Sequence, residues 1–120
     1  MAITITPLTL ASAQKIISDS DVDATAERNM NNGAAVVYGM VLDNSANAAA
    51  TYYKFYAADN PTVGTTTPDF IFMVGAVSRT VVSKRGLDFG TALSLAGVTA
   101  GGTAGTTSPT SNAAIDIVVG

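Results

Sequence analysis

The chain has 120 residues, a net charge of −3, and neither cysteine nor histidine. Its length suits one domain with its own core, and the two missing residue types exclude a disulfide framework, thiol chemistry and the commonest general base and zinc ligand. The acidic balance argues against direct nucleic-acid binding, which needs a basic stripe.

Residues 2–10 alternate, with Ile3 and Ile5 on one side and Thr4 and Thr6 on the other, until Pro7 breaks the ladder and Leu8 and Leu10 resume in shifted phase. This pattern predicts an edge strand or an extended N-terminal arm. Ala11-Ser12-Ala13 resembles a signal cleavage site, but no Lys or Arg precedes it and threonines interrupt the apolar stretch, so no secretory signal is expected. Residues 11–17 fit a short strand or one helical turn equally. Residues 18–33 carry Asp19, Asp21, Asp23, Glu27, Asn29, Asn31 and Asn32-Gly33 and read as a polar loop closing on an Asn-Gly turn.

Strand signals then follow in quick succession. Residues 35–42 are apolar on both faces, with Val37 and Val41 on one and Val36, Tyr38, Met40 and Leu42 on the other. Asp43-Asn44-Ser45 marks a turn. Residues 51–57 place Tyr53 and Phe55 on one face and Tyr52, Lys54 and Tyr56 on the opposite one. A loop over 59–68 contains Asn60-Pro61 and Gly64. Residues 70–74 and 77–83 form two further runs joined through Gly75, and Lys84-Arg85-Gly86 is expected to turn the chain. Residues 87–95 alternate cleanly, with Leu87, Phe89, Leu93 and Leu95 on one face. A Gly/Thr/Ser loop covers 100–112, and Ile115, Ile117 and Val119 end the pattern with Asp116 facing outward.

Short strands separated by turns, without helical periodicity or an internal repeat, predict an all-β fold: an antiparallel β-sandwich or jelly-roll-like barrel with an extended N-terminal arm. The expected organisation is an arm and polar loop over 1–33 and a β-sandwich domain over 34–120. No apolar run approaches the roughly 18 residues of a membrane span, and no membrane partner is expected. Strands apolar on both faces are unusual in a small sandwich; either the arm covers them or a second subunit does. Only 12% of residues are charged, against about 25% in an average soluble domain. Thr, Ser, Asn, Ala and Gly must therefore form the exterior, which is easily desolvated against other proteins; the alternative is a monomer that is simply poor in charge.

Four patterns bear on chemistry. Asp19-Ser20-Asp21-Val22-Asp23 opens like a calcium loop, but Ala24 stands where the sharp turn needs Gly and Met30 where a bidentate Glu belongs. The glycine-rich 101–108 lacks the Gly-Lys-Ser/Thr ending of a phosphate cradle and reads as a flexible or partner-ordered loop. Arg79, Lys84 and Arg85 gather half of the six basic residues and suit either an acidic patch on a partner or a solvated hairpin tip. Tyr52 and Tyr56, at strand spacing, suit interface anchors, a sugar-stacking platform or ordinary cross-strand packing. No base accompanies the many Ser and Thr residues, so no nucleophile is expected. The chain is read as a non-enzyme without cofactor or metal.

Asp43-Asn44-Ser45-Ala46-Asn47-Ala48 leading into Tyr53-Lys54-Phe55-Tyr56, then Pro61-Thr62-Val63-Gly64-Thr65 before Pro68, and Arg85-Gly86-Leu87-Asp88-Phe89 leading to Thr91-Ala92-Leu93, together resemble small β-sandwich structural proteins of tailed-bacteriophage virions. The likeness spans residues 43–95, under half the chain, and the Gly/Thr loop has no counterpart in it. The resemblance implies a virion structural role without catalytic residues: a capsid cement or decoration subunit, or alternatively a neck, tail or tail-fibre component. Its implied partners are the major capsid protein, other virion proteins and further copies in a homo-oligomer. It would be made in the host cytoplasm and reside on the capsid surface, with its arm reaching a neighbouring subunit. A carbohydrate-binding or adhesin module is the reading from another class. The interface residues expected are Ile3, Ile5, Leu8, Leu10, Tyr52, Tyr56, Arg79, Lys84 and Arg85.

Overall fold

A computed structural model describes residues 14–120. The expected interface residues Ile3, Ile5, Leu8 and Leu10, and the expected arm that carries them, lie outside the described residues. Among those described, seven strands and no helix are present. They are β1 (Lys15–Val22), β2 (Ala35–Asp43), β3 (Thr51–Tyr56), β4 (Phe70–Val74), β5 (Ser78–Phe89), β6 (Ser94–Val98) and β7 (Ala113–Val119). A four-stranded sheet runs β1-β7-β2-β5 and a three-stranded sheet β4-β3-β6, with every pairing antiparallel. The result is the expected antiparallel β-sandwich.

Inward side chains of both sheets meet in one core: Val37, Met40 and Leu42 from β2, Tyr53 and Phe55 from β3, Ile115, Ile117 and Val119 from β7, and Leu95 from β6. Phe55 packs edge-on against Phe72 at 5.8 Å, and Phe89 sits 5.5 Å from Phe70 and 6.3 Å from Phe55. These rings tie β3 and β4 to the end of β5, and aromatic pairs add stabilisation beyond their area.

Three expectations change. Part of the polar stretch 18–33 is strand: β1 runs through Asp19 and Asp21 to Val22 and pairs with β7 from Lys15↔Val119 to Val22↔Ala113. Its polarity fits an edge strand with one outer border in solvent. Lys84-Arg85-Gly86 does not reverse the chain. It lies inside β5 as a bulge, because Val37↔Leu87 is followed by Gly39↔Val82 in the pairing with β2. Gly86 adopts φ +83, and a Cβ there would fall 2.2 Å from Val36 Cγ1, so the bulge depends on glycine. The alternating run 87–95 splits between two sheets, with Phe89 ending β5 and Ser94 opening β6.

Bulging also explains the apparent two-sidedness of β2. Against β7 the register steps from Val37↔Val119 to Gly39↔Val118, leaving Tyr38 as an extra residue. The side-chain phase flips there, since a one-residue slip exchanges faces. Ala35 and Val37 before it and Met40 and Leu42 after it all point inward, whereas Val41 is exposed.

Candidate functional site

The two outer faces of the sandwich differ in cover. On the three-stranded sheet, Tyr52↔Val98, Lys54↔Ala96 and Tyr56↔Ser94 line the outward side, yet all except half-buried Tyr52 are buried. The chain's own loops cover them, whereas Ile71 and Met73 on neighbouring β4 stay exposed. Lys54 Nζ donates to the carbonyl oxygens of Thr103 at 3.4 Å and Gly105 at 3.1 Å. A Cβ on Gly101 would come within 3.0 Å of the Tyr52 ring, and one on Gly64 would strike Thr106. The loops over 57–69 and 99–112 therefore pack on β3 and on each other, and the glycine-rich stretch is glycine-rich because it passes so close. Burial pushes the Lys54 amine below its ordinary value. Residues 23–30 cap the free border of β6 through Glu27 N–H to Leu95 O, Leu95 N–H to Glu27 O and Gly97 N–H to Asp23 O.

The four-stranded sheet has no such cover among the described residues. Its outward side runs in rows across β1, β7, β2 and β5. Ser18, Asp116, Val41 and Thr80 form one row, and Ile16, Val118, Gly39 and Val82 the next. Ile16 is 69% exposed, Val82 78% and Val41 39%. Gly39 leaves a hollow of about 310 Å³ between the flanking valines, and a second hollow continues from Ile16 and Val118 to Gln14 and Lys15. Polarity enters at the border, where Ser18 Oγ donates to Asp116 Oδ1 at 2.6 Å. Asp116 is the titratable group lining the Gly39 hollow, and the aliphatic rows around it can exclude water against an apolar partner.

The expected site residues distribute as follows. Tyr56 is wholly buried, with a hydroxyl that finds no partner among the described residues, and burial raises its pKa. Tyr52 lies beside Gly101 and is half-buried, and Tyr56 is enclosed, so the two tyrosines form no shared surface platform. Arg79 donates to Met73 O at 3.0 Å and sits 5.9 Å over the Phe72 ring, bracing β4 against β5. Lys84 and Arg85 are exposed on the bulge, five residues along the strand from Arg79 and at no hairpin tip. In the acidic stretch, Asp19 Oδ1 accepts from Asp21 N–H at 2.9 Å and Asp23 Oδ1 from Thr25 N–H at 2.8 Å, so both carboxylates fasten local turns. Burial, and then Asp19, Asp21 and Asp23, hold the Glu27 carboxyl above its usual range.

Sequence reasoning missed Ile16, Val82, Val118 and Gly39 as a group. Their common row depends on the two bulges, and bulges carry no period to read. Compared with known proteins, the chain matches no family model, no curated protein and no solved structure.

Proposed function

We propose that this chain is a non-catalytic structural subunit of a tailed-bacteriophage particle: a capsid cement or decoration protein that docks the outer face of its four-stranded sheet on the major capsid protein or a neighbouring virion protein. The supporting observation is the bare row of Ile16, Val118, Gly39 and Val82, with Val41 beside it, in a chain otherwise so poor in charge. Burying that row removes apolar area from water at about 25 cal/mol per Å², with Asp116 and Lys15 the charged groups that line its hollows. Many copies would reinforce a shell through multivalency even where each contact is weak.

The test adds purified protein to particles that lack it. Val82→Glu and Val41→Glu, both at exposed positions, should leave folding intact and abolish occupancy; full occupancy by both variants removes the reading. Copy number then separates cement, present in hundreds, from a neck or tail ring, present in a dozen or fewer.

A further inference from the structure

We propose that copies of this chain join border to border, β5 of one against β1 of the next, so that the four-stranded sheet continues from subunit to subunit. Among the described residues neither border pairs with a further strand, and each presents backbone N–H and C=O groups that a partner strand can satisfy. Direction, register and charge all select the opposite border of a second copy as that strand.

With four strands and every pairing antiparallel, β1 and β5 run in opposite senses. A second copy set alongside in the same orientation therefore offers β1 antiparallel to β5, with the same face outward. Hydrogen-bonded and non-bonded pairs alternate from strand to strand along a row. After four strands the alternation is back in phase, so the free backbone groups of the two borders complement each other. One alignment then continues the rows together. Val82, which ends the row begun by Ile16, meets Ile16 of the next copy, and Thr80, which ends the row begun by Ser18, meets Ser18. Residues 15–19 pair in step with β7 and residues 78–82 in step with β2, and the bulges of β1 and β5 fall beyond these stretches. Two regular segments of equal length thus face each other.

The same alignment pairs opposite charges. The row Asp19, Ile115, Leu42, Arg79 begins with a carboxylate and ends with a guanidinium, so Arg79 meets Asp19 of the next copy. Arg79 gives an N–H to Met73 O and keeps others of its five for that carboxylate. β1 carries Lys15, Asp19 and Asp21, whereas β5 carries Arg79, Lys84, Arg85 and Asp88, so one border is net negative and the other net positive. Two β5 borders paired about Val82 would instead set Arg79 against Arg85, and like charges directly opposite are destabilising. A joint between unlike borders does not close at two copies; it extends or curls into a ring. The proposal concerns copies of this chain and does not rest on the shell reading.

The chain has no cysteine, so introduced thiols report the joint directly. Ile16→Cys and Val82→Cys chains, mixed and treated with a short bis-maleimide, should give the mixed product in roughly tenfold excess over either same-chain product, the products being told apart by mass. Chains carrying both substitutions should link into ladders longer than two. Random proportions or a dominant same-chain product overturn the proposal, and so does Val41→Cys linking mainly to itself, which would set copies face to face. Asp19→Arg in the Ile16→Cys chain, or Arg79→Asp in the Val82→Cys chain, should each lower the mixed product, and combining the two should restore it. A loss that the reversed pair fails to restore also overturns the proposal. Arg79 braces β4 as well, so thermal unfolding checks that each variant is folded, and the linking seen with the native charges decides in any case. Val41→Glu, away from both borders, should keep the linking while it abolishes particle occupancy, so the joint and the shell reading fail separately.

Discussion

Asn44 should be the most costly polar side chain to remove. It is fully buried at one end of the sandwich, where the β2–β3 turn meets the β4–β5 connection. Its Nδ2 donates to Ala49 O at 3.0 Å, Val74 O at 3.0 Å and Gly75 O at 2.9 Å. Its Oδ1 accepts from Asn47 Nδ2 at 2.8 Å and Thr51 Oγ1 at 2.7 Å. Asn47 passes the network on, exchanging bonds with Ser111 at 2.8 Å in each direction. Asn44→Ala removes all five side-chain contacts, in which two amide hydrogens are shared among three carbonyl oxygens. At about 1 kcal/mol per bond, moderated by water reaching some carbonyls and worsened by stranded donors, the loss is about 4 kcal/mol. In a domain of this size that lowers Tm by roughly 15 °C.

Asn44→Asp sharpens the test. One carboxyl oxygen can still accept from Asn47 and Thr51, but the other faces three carbonyl oxygens. Ionisation there is opposed by burial and by those dipoles, so the folded-state pKa must rise above the unfolded value of about 3.9. A raised acid contributes its stability below the unfolded pKa and loses it as pH climbs toward the folded one. Urea unfolding should therefore show Asn44→Asp less damaged near about pH 3 than near about pH 7, while Asn44→Ala keeps a constant deficit. An equal deficit for Asn44→Asp at both pH values, or a cost for Asn44→Ala below about 1 kcal/mol, would refute the reasoning.

Other variants probe the remaining features. Gly86→Ala must hold φ +83 and displace Val36, costing about 3 kcal/mol by chemical unfolding, whereas Gly90→Ala, with nothing within 4 Å, should stay within about 0.5 kcal/mol. Tyr56→Phe removes a buried hydroxyl without a partner and should stabilise by about 1 kcal/mol in thermal scans. Burial raises the pKa values of Tyr53 and Tyr56; each favours the neutral form in the fold, so stability present below pH 10 falls as pH rises beyond it. Tyr56→Phe should soften that alkaline loss. Lys54→Met drops the two bonds to the Thr103 and Gly105 carbonyls, and hydrogen exchange should accelerate at least tenfold across 99–112 with the β7 amides unchanged.

What the sequence disclosed follows from how each feature is encoded. Period-two alternation at Ala113–Val119 marks a strand with one dry face, and alternation around Tyr53 and Phe55 places both in the core, whereas Phe70–Val74, apolar throughout, signals a strand without saying which face is inward. Alternation cannot signal its own interruption. Tyr38 shifts the phase of β2 with an ordinary residue, so the face assignments there come out wrong beyond Val37. Lys84-Arg85-Gly86 shows the same ambiguity: a left-handed glycine beside two charges serves a reverse turn or a bulge equally well, and only pairing with β2 decides between them. Strands apolar on both faces admit cover by the arm or by another subunit, but on the three-stranded sheet the cover is neither. A loop of Gly, Thr and Ala has no hydrophobic signature of its own, and it lies on β3 because Lys54 offers a buried donor to two of its carbonyls and Gly101 lets the backbone approach Tyr52. Once that sheet is accounted for, the chain's low charge stops being diffuse. The large exposed aliphatics of the four-stranded sheet's outer face gather at Ile16, Val41 and Val82, and a partner has that apolar face on which to settle.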